Sequence, residues 1–261
     1  MILFSPKRVD WKDGVTPIVS DAEIDHYAEA VLHDYKPELL IKPGTIRFEH
    51  FLESYLGANL EYHDIYNKDP ARHIFGATIF QEADVQVFDR EQGRISVRRV
   101  PSNTIILDNY VMKPGKEGLA LFTGIHEAGH FLMHRDVYTQ GSFKHSTQES
   151  DSDAVYKCCR QEDIESYGVR KRYTTASQWY EHHANYFAAA LTMPLKTFKP
   201  YVWQILNEQG VRKKPLVIGQ GYDTDYIAKD LIPEFLSEVY GVSKRAAFIR
   251  LRKCGFVTGL P

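Results

Sequence analysis

The sequence predicts an α+β fold, and three observations carry that reading. Two stretches with apolar residues at helical spacing open the chain. Short segments rich in β-branched and aromatic residues follow between positions 59 and 107, separated by turn residues. Helical spacing then returns and dominates to the last residues. Helices before and after a compact run of strands give helices segregated onto a small, mostly antiparallel sheet.

In chain order, residues 1–17 show no regular pattern. Ser20-Asp21-Ala22-Glu23 is a capping box. Ile24, Tyr27, Ala28, Val31 and Leu32 form the apolar stripe of the helix it opens, which ends by Pro37. A second helix follows Pro43-Gly44-Thr45, carries Ile46, Phe48, Phe51, Leu52, Tyr55 and Leu56, and stops at Gly57. Strands are predicted at Asn59–His63, His73–Phe80, Val85–Phe88, Arg94–Val100 and Thr104–Leu107. Asn67–Pro70 heads a turn, and Gln92-Gly93 marks a hairpin. Gln140–Asp153 is rich in Ser, Thr, Gln and Gly and reads as a loop, and Asp151–Asp163 as a short helix. The whole of 136–178 is long for a connection, either a cleft wall or lid, or a passive insertion. Tyr201–Asn207 reads as helix up to Gly210, and Pro215–Gly221 as a break. Pro233–Gly255 reads as two helices around Gly241, the second capped by Ser243. Residues 1–194 therefore form the main domain, and 195–261 a helical region packed on it.

The chemistry concentrates in two helical stretches. The first runs from Leu119 to His134 and contains His126-Glu127-Ala128-Gly129-His130. Phe122, Ile125, Gly129, Leu132 and Met133 recur at helical spacing. Residues four apart share a helix face, so the imidazoles of His126 and His130 can converge on one Zn²⁺. Glu127, between them, is placed to act as general base on water. His134 is eight residues beyond His126, about 12 Å along a straight helix, so it reads as a structural or outer residue. The second stretch is Trp179-Tyr180-Glu181-His182-His183-Ala184-Asn185-Tyr186-Phe187-Ala188-Ala189-Ala190-Leu191-Thr192-Met193-Pro194. Its small residues let another helix approach closely. Glu181 would complete a His-His-Glu site with one open position, and Asn185, on the same face, could hydrogen-bond a ligand imidazole.

Together, His126-Glu127-x-Gly129-His130 and Glu181-x-x-Ala184-Asn185-x-Phe187-Ala188-Ala189-x-Leu191-x-Met193-Pro194 resemble the ImmA/IrrE family of zinc metallopeptidases. The resemblance is sharp in these two helices and implies a zincin-like metallopeptidase core of the gluzincin type. It implies that His126, His130 and Glu181 are zinc ligands and that Glu127 is the catalytic base. It also implies cleavage of a protein substrate, typically a helix-turn-helix repressor of phage, mobile-element or stress genes. About fifty residues separate the two motifs, longer than in compact members of that family. His182, His183, Tyr180 and Tyr186 are near Glu181 in sequence, but none is singled out as the oxyanion-stabilising donor.

Composition is ordinary for a globular chain, with 25% charged and 43% hydrophobic residues. A net charge of −2 offers no global basic field for nucleic acid. Apolar runs are far short of a membrane span, and the N-terminal one is too short for a secretory signal. Three cysteines suggest no disulfide framework and suit a reducing cytoplasm. Cys158 and Cys159 read as buried or idle thiols, and Cys254 as core. The last helix is basic, through Lys244, Arg245, Arg250, Arg252 and Lys253, yet Ala246, Ala247, Ile249 and Leu251 give it an apolar side. It reads as a helix-turn-helix-like hairpin packed on the core with a solvated basic face, rather than a recognition helix. Two functions follow: a cytoplasmic zinc endopeptidase, or a non-proteolytic transcriptional regulator or DNA-binding protein on a zincin scaffold.

Overall fold

The computed structural model describes residues 1–10, 16–69, 73–139, 156–161 and 172–259. Helix α1 spans Asp21–Tyr35. The Ser20 hydroxyl accepts from the Glu23 N–H while the Glu23 carboxylate accepts from the Ser20 N–H, so the predicted capping box is formed. Helix α2 begins at Phe48–His50 and continues in wider turns through Phe51–Tyr55.

Strands β1 (Asn59–His63), β2 (Ile74–Ile79), β5 (Thr104–Asp108) and β6 (Tyr156–Arg160) form one sheet in the order β1-β5-β2-β6. β1 and β5 are parallel, while β2 is antiparallel to both β5 and β6. Strands β3 (Ala83–Asp89) and β4 (Arg94–Val100) make a separate hairpin. Val85, Val87 and Val100 of that hairpin pack on Ala77, Ile79 and Ile106, covering one face of the sheet.

β6 corrects the sequence reading. Tyr156–Arg160 falls within the predicted helix Asp151–Asp163, yet it is a strand on the edge of β2. Pairing with β2 satisfies backbone groups that its edge would otherwise leave bare beside the core, and such tertiary pairing overrides local preference. Residues 151–155 and 162–163 of the predicted helix lie outside the described residues, as does the predicted loop Gln140–Asp153.

The other face of the sheet carries α3 (Glu117–Met133), in which every residue from Ala120 to Met133 is buried. A helix buried all round is the centre of a core. After the short α4 (Arg135–Thr139), helix α5 (Ala176–Thr192) packs across α3, and α1 lies against α5. The crossing is close because Gly129 has no side chain: a Cβ there would stand 3.1 Å from the Cα of Ala184.

Helix α6 runs Leu195–Glu208, longer than the predicted Tyr201–Asn207. Pro194 ends α5 and heads α6, and Pro200 is accommodated inside α6. Helix α7 (Tyr222–Tyr226) leads through Ile227–Leu231 into α8 (Ile232–Tyr240). Gly241, left-handed at φ 69°, turns the chain into α9 (Lys244–Lys253), which Ser243 caps. Strands β7 (Leu216–Val217) and β8 (Val257–Thr258) pair in parallel. Leu236, Ala247, Leu251 and Phe256 join the same apolar cluster as α1, α3 and α5.

The basic face predicted for α9 is largely engaged by the protein itself. Arg250 is fully buried; it donates to Asp25 Oδ1 at 2.5 Å and to the Met193 carbonyl at 3.2 Å. Tyr186 donates its hydroxyl to the other Asp25 oxygen at 2.8 Å. Lys244 pairs with Glu234, and Lys253 with Asp21.

Removing one partner of a buried ion pair typically costs about 3–5 kcal/mol. Asp25→Ala should therefore lower the melting temperature by roughly 6–20 °C in calorimetry. The double variant Asp25→Ala/Arg250→Met should recover part of that loss; an Asp25→Ala protein as stable as wild type would show that the pair does not tie α9 to α1.

Candidate metal centre

The close crossing of α3 and α5 brings His126 and His130 opposite Glu181. The Nε2 atoms of the two histidines are 3.0 Å apart. Glu181 Oε2 lies 3.3 Å from His126 Nε2, and Oε1 lies 3.6 Å from His130 Nε2. Zinc bonds of 2.0–2.1 Å in a tetrahedral site put donors about 3.3 Å apart, so the three donors stand at nearly ligand spacing. The two histidines are completely buried, whereas the Glu181 side chain is 12% exposed and marks the side open to solvent.

The partner behind His126 fixes which of its nitrogens faces the other two donors. His126 Nδ1 donates to Asn185 Oδ1 at 3.1 Å, which leaves the Nε2 lone pair facing His130 and Glu181. His130 Nδ1 and His134 Nδ1 share a hydrogen bond at 3.0 Å. His134 Nε2 lies 3.4 Å from His183 Nδ1. Burial pushes the His183 ring down to about 3, so it stays neutral. Two imidazole nitrogens and a carboxylate converge on one point, an arrangement that a cation would satisfy. This buried His-His-Glu group could hold a metal ion.

Glu127 is fully buried beside His126. Thr78 donates its hydroxyl to Glu127 Oε2 at 2.6 Å, and the Cys159 backbone N–H also holds the carboxylate. Burial pushes the carboxyl up to about 7, against the downward pull of His126 and Thr78. A carboxyl near neutrality can both take and return a proton at working pH. Gly76 makes the space: a Cβ there would be 2.9 Å from Glu127 Oε1.

All residues named from the sequence for this chemistry are in one place, with His134 one step behind His130. The four oxyanion candidates are engaged elsewhere. Tyr180 shares a hydrogen bond with Thr16, Tyr186 donates to Asp25, His182 lies between Asp21 and Tyr173, and His183 faces His134. Gly76, Thr78 and Cys159 escaped the sequence reading. Strand alternation places Gly76 and Thr78 on one face of β2, opposite Ala77 and Ile79, and would have pointed to the first two. A cavity lined by Met1, Phe4, Phe131, Leu132 and Arg135 lies beyond His130 and includes none of the three donors.

Models of known protein families give no match to this chain, and no curated protein matches it.

The purified chain should hold about one Zn²⁺, and His126→Ala and Glu181→Ala should each lose most of it. Asn185→Ala should bind zinc about 10–100-fold more weakly while keeping the fold. Undiminished metal content in both ligand variants would remove the centre.

Proposed function

We propose that this chain is a zinc-dependent endopeptidase of the ImmA/IrrE kind, built on a zincin-like core and acting in the cytoplasm. The observation that carries the reading is the ligand triad His126, His130 and Glu181 with a separate, buried carboxylate, Glu127, beside it. A structural metal site has no use for such a base. Zinc held by the triad would leave one position for water or a carbonyl oxygen, polarising the carbonyl and acidifying the water.

Glu127 takes the proton from the attacking water and passes it to the leaving amine nitrogen. Thr78 and the Cys159 N–H orient its carboxylate. Asn185 holds the His126 imidazole in the tautomer that offers Nε2, and His134 would accept from His130 Nδ1 when His130 Nε2 binds a metal. The edge strand β6 runs beside Glu127, and among the described residues its outer edge has no strand partner. An extended peptide can pair there, which favours a protein substrate. That the substrate is a helix-turn-helix repressor rests on the two-motif resemblance.

A regulator acting through DNA is the second reading, favoured by the hairpin of α8 and α9. The burial of Arg250 and the pairing of Lys244 and Lys253 count against it. No described helix is long and apolar enough to cross a membrane.

Glu127→Gln should keep fold and zinc but cleave a repressor encoded beside this gene about 10²–10⁴-fold more slowly. Equal cleavage by variant and wild type would exclude Glu127 as the base. In a gel-shift at moderate salt, the wild type should give no competitor-resistant band with its own upstream DNA; a sharp band would favour the regulator.

A further inference from the structure

Strand β4 is held by the protein along one side only. On β3, the Phe88 N–H donates to the Asp64 carbonyl at 2.8 Å, and the Gln86 carbonyl accepts from the Tyr66 N–H at 2.9 Å. The backbone groups of Gln86 and Phe88 therefore turn away from β4. Bonding alternates along an antiparallel ladder, so Val85, Val87 and Asp89 bond to their partners Arg98, Ser96 and Arg94. The backbone groups of Ile95, Val97 and Arg99 then point the other way, along an edge with no strand partner among the described residues. Side chains on this strand are sorted as well. Ile95 and Val97 lie with Phe88 on the face away from the buried Val85, Val87 and Val100, and are 45%, 62% and 44% exposed respectively with Phe88 last. Arg94 and Arg98 are exposed on the other face, and neither pairs with a carboxylate among the described residues.

We propose that the free edge of β4 docks an extended segment of another protein whose side chains alternate between aliphatic and acidic. Added as a strand, such a segment pairs its backbone with the outward groups of Ile95, Val97 and Arg99. In this mode main-chain bonds give affinity and alternate side chains give specificity. The aliphatic residues of the segment extend the patch of Phe88, Ile95 and Val97, while its acidic residues reach Arg94 and Arg98 on the opposite face. A second copy of this chain fits poorly, because each β4 would bring Arg94, Arg98 and Arg99 to the same ribbon, where like charges repel. The hairpin covers the face of the sheet opposite α3, so docking at β4 does not depend on the metal centre.

Fluorescence anisotropy with the full chain tests this, using a short fluorescein-labelled peptide of alternating glutamate and valine and a second with lysine in place of glutamate. The wild type should bind the glutamate peptide about tenfold more tightly than the lysine peptide. Arg94→Glu/Arg98→Glu should reverse that preference. Val97→Pro removes an N–H that points outward and leaves the bonds between β3 and β4 in place, so it should weaken the glutamate peptide about tenfold at an unchanged circular dichroism spectrum. Both arginines are exposed and without a carboxylate partner, so their reversal keeps the test decisive if Val97→Pro does not fold. No saturable binding of the glutamate peptide by wild type, or a preference that survives the charge reversal, overturns the proposal. So does a wild-type dimer in sedimentation that Val97→Pro converts to monomer, because a second copy then holds the edge.

Discussion

The contact on which the molecule depends is the one between Gly129 and Ala184. It lets α3 and α5 cross with 3.1 Å between the place of a missing Cβ and the Cα of Ala184. Any larger residue at 129 would push the helices apart. Metal sites tolerate only about 0.2 Å in their bond lengths, so Glu181 would then be drawn away from both histidines. Gly76 does the same on the sheet side, where its bare backbone lets Glu127 lie against β2. Two glycines, one in a helix and one in a strand, set the depth at which the donors meet.

The site was legible in the sequence because each motif lies on a single helix. Four-residue spacing alone places His126 with His130 and Glu181 with Asn185. Joining the two faces needed only the small residues that signal a close crossing. Gly76, Thr78 and Cys159 were not legible, because their roles depend on β2 and β6 being neighbours, which is non-local. β6 itself was misread: Tyr156–Arg160 has no turn signals or clear period to mark it, and its conformation is dictated by the exposed edge of β2. Helix α6 was read short because Pro200 looks like a breaker, yet the helix carries it within its first two turns.

Arg250 shows where charge counting misleads. Its place in a run of basic residues suggests a solvated face, but it reaches into the core between Asp25 and the Met193 carbonyl. It ties α9 to α1 and to the end of α5, the helix that carries Glu181. The C-terminal hairpin therefore supports the helix that carries Glu181 from behind, a structural task that leaves little of its positive charge for DNA. The same helix–helix framework supports the peptidase reading and constrains its rival.

The most direct measurement is anomalous scattering from a crystal of the zinc-loaded protein, collected on both sides of the zinc absorption edge. A single peak should lie about 2.0–2.2 Å from His126 Nε2, His130 Nε2 and a Glu181 oxygen. No peak between these three donors, or a peak held by other residues, would contradict the central claim that the crossing of α3 and α5 builds a metal centre.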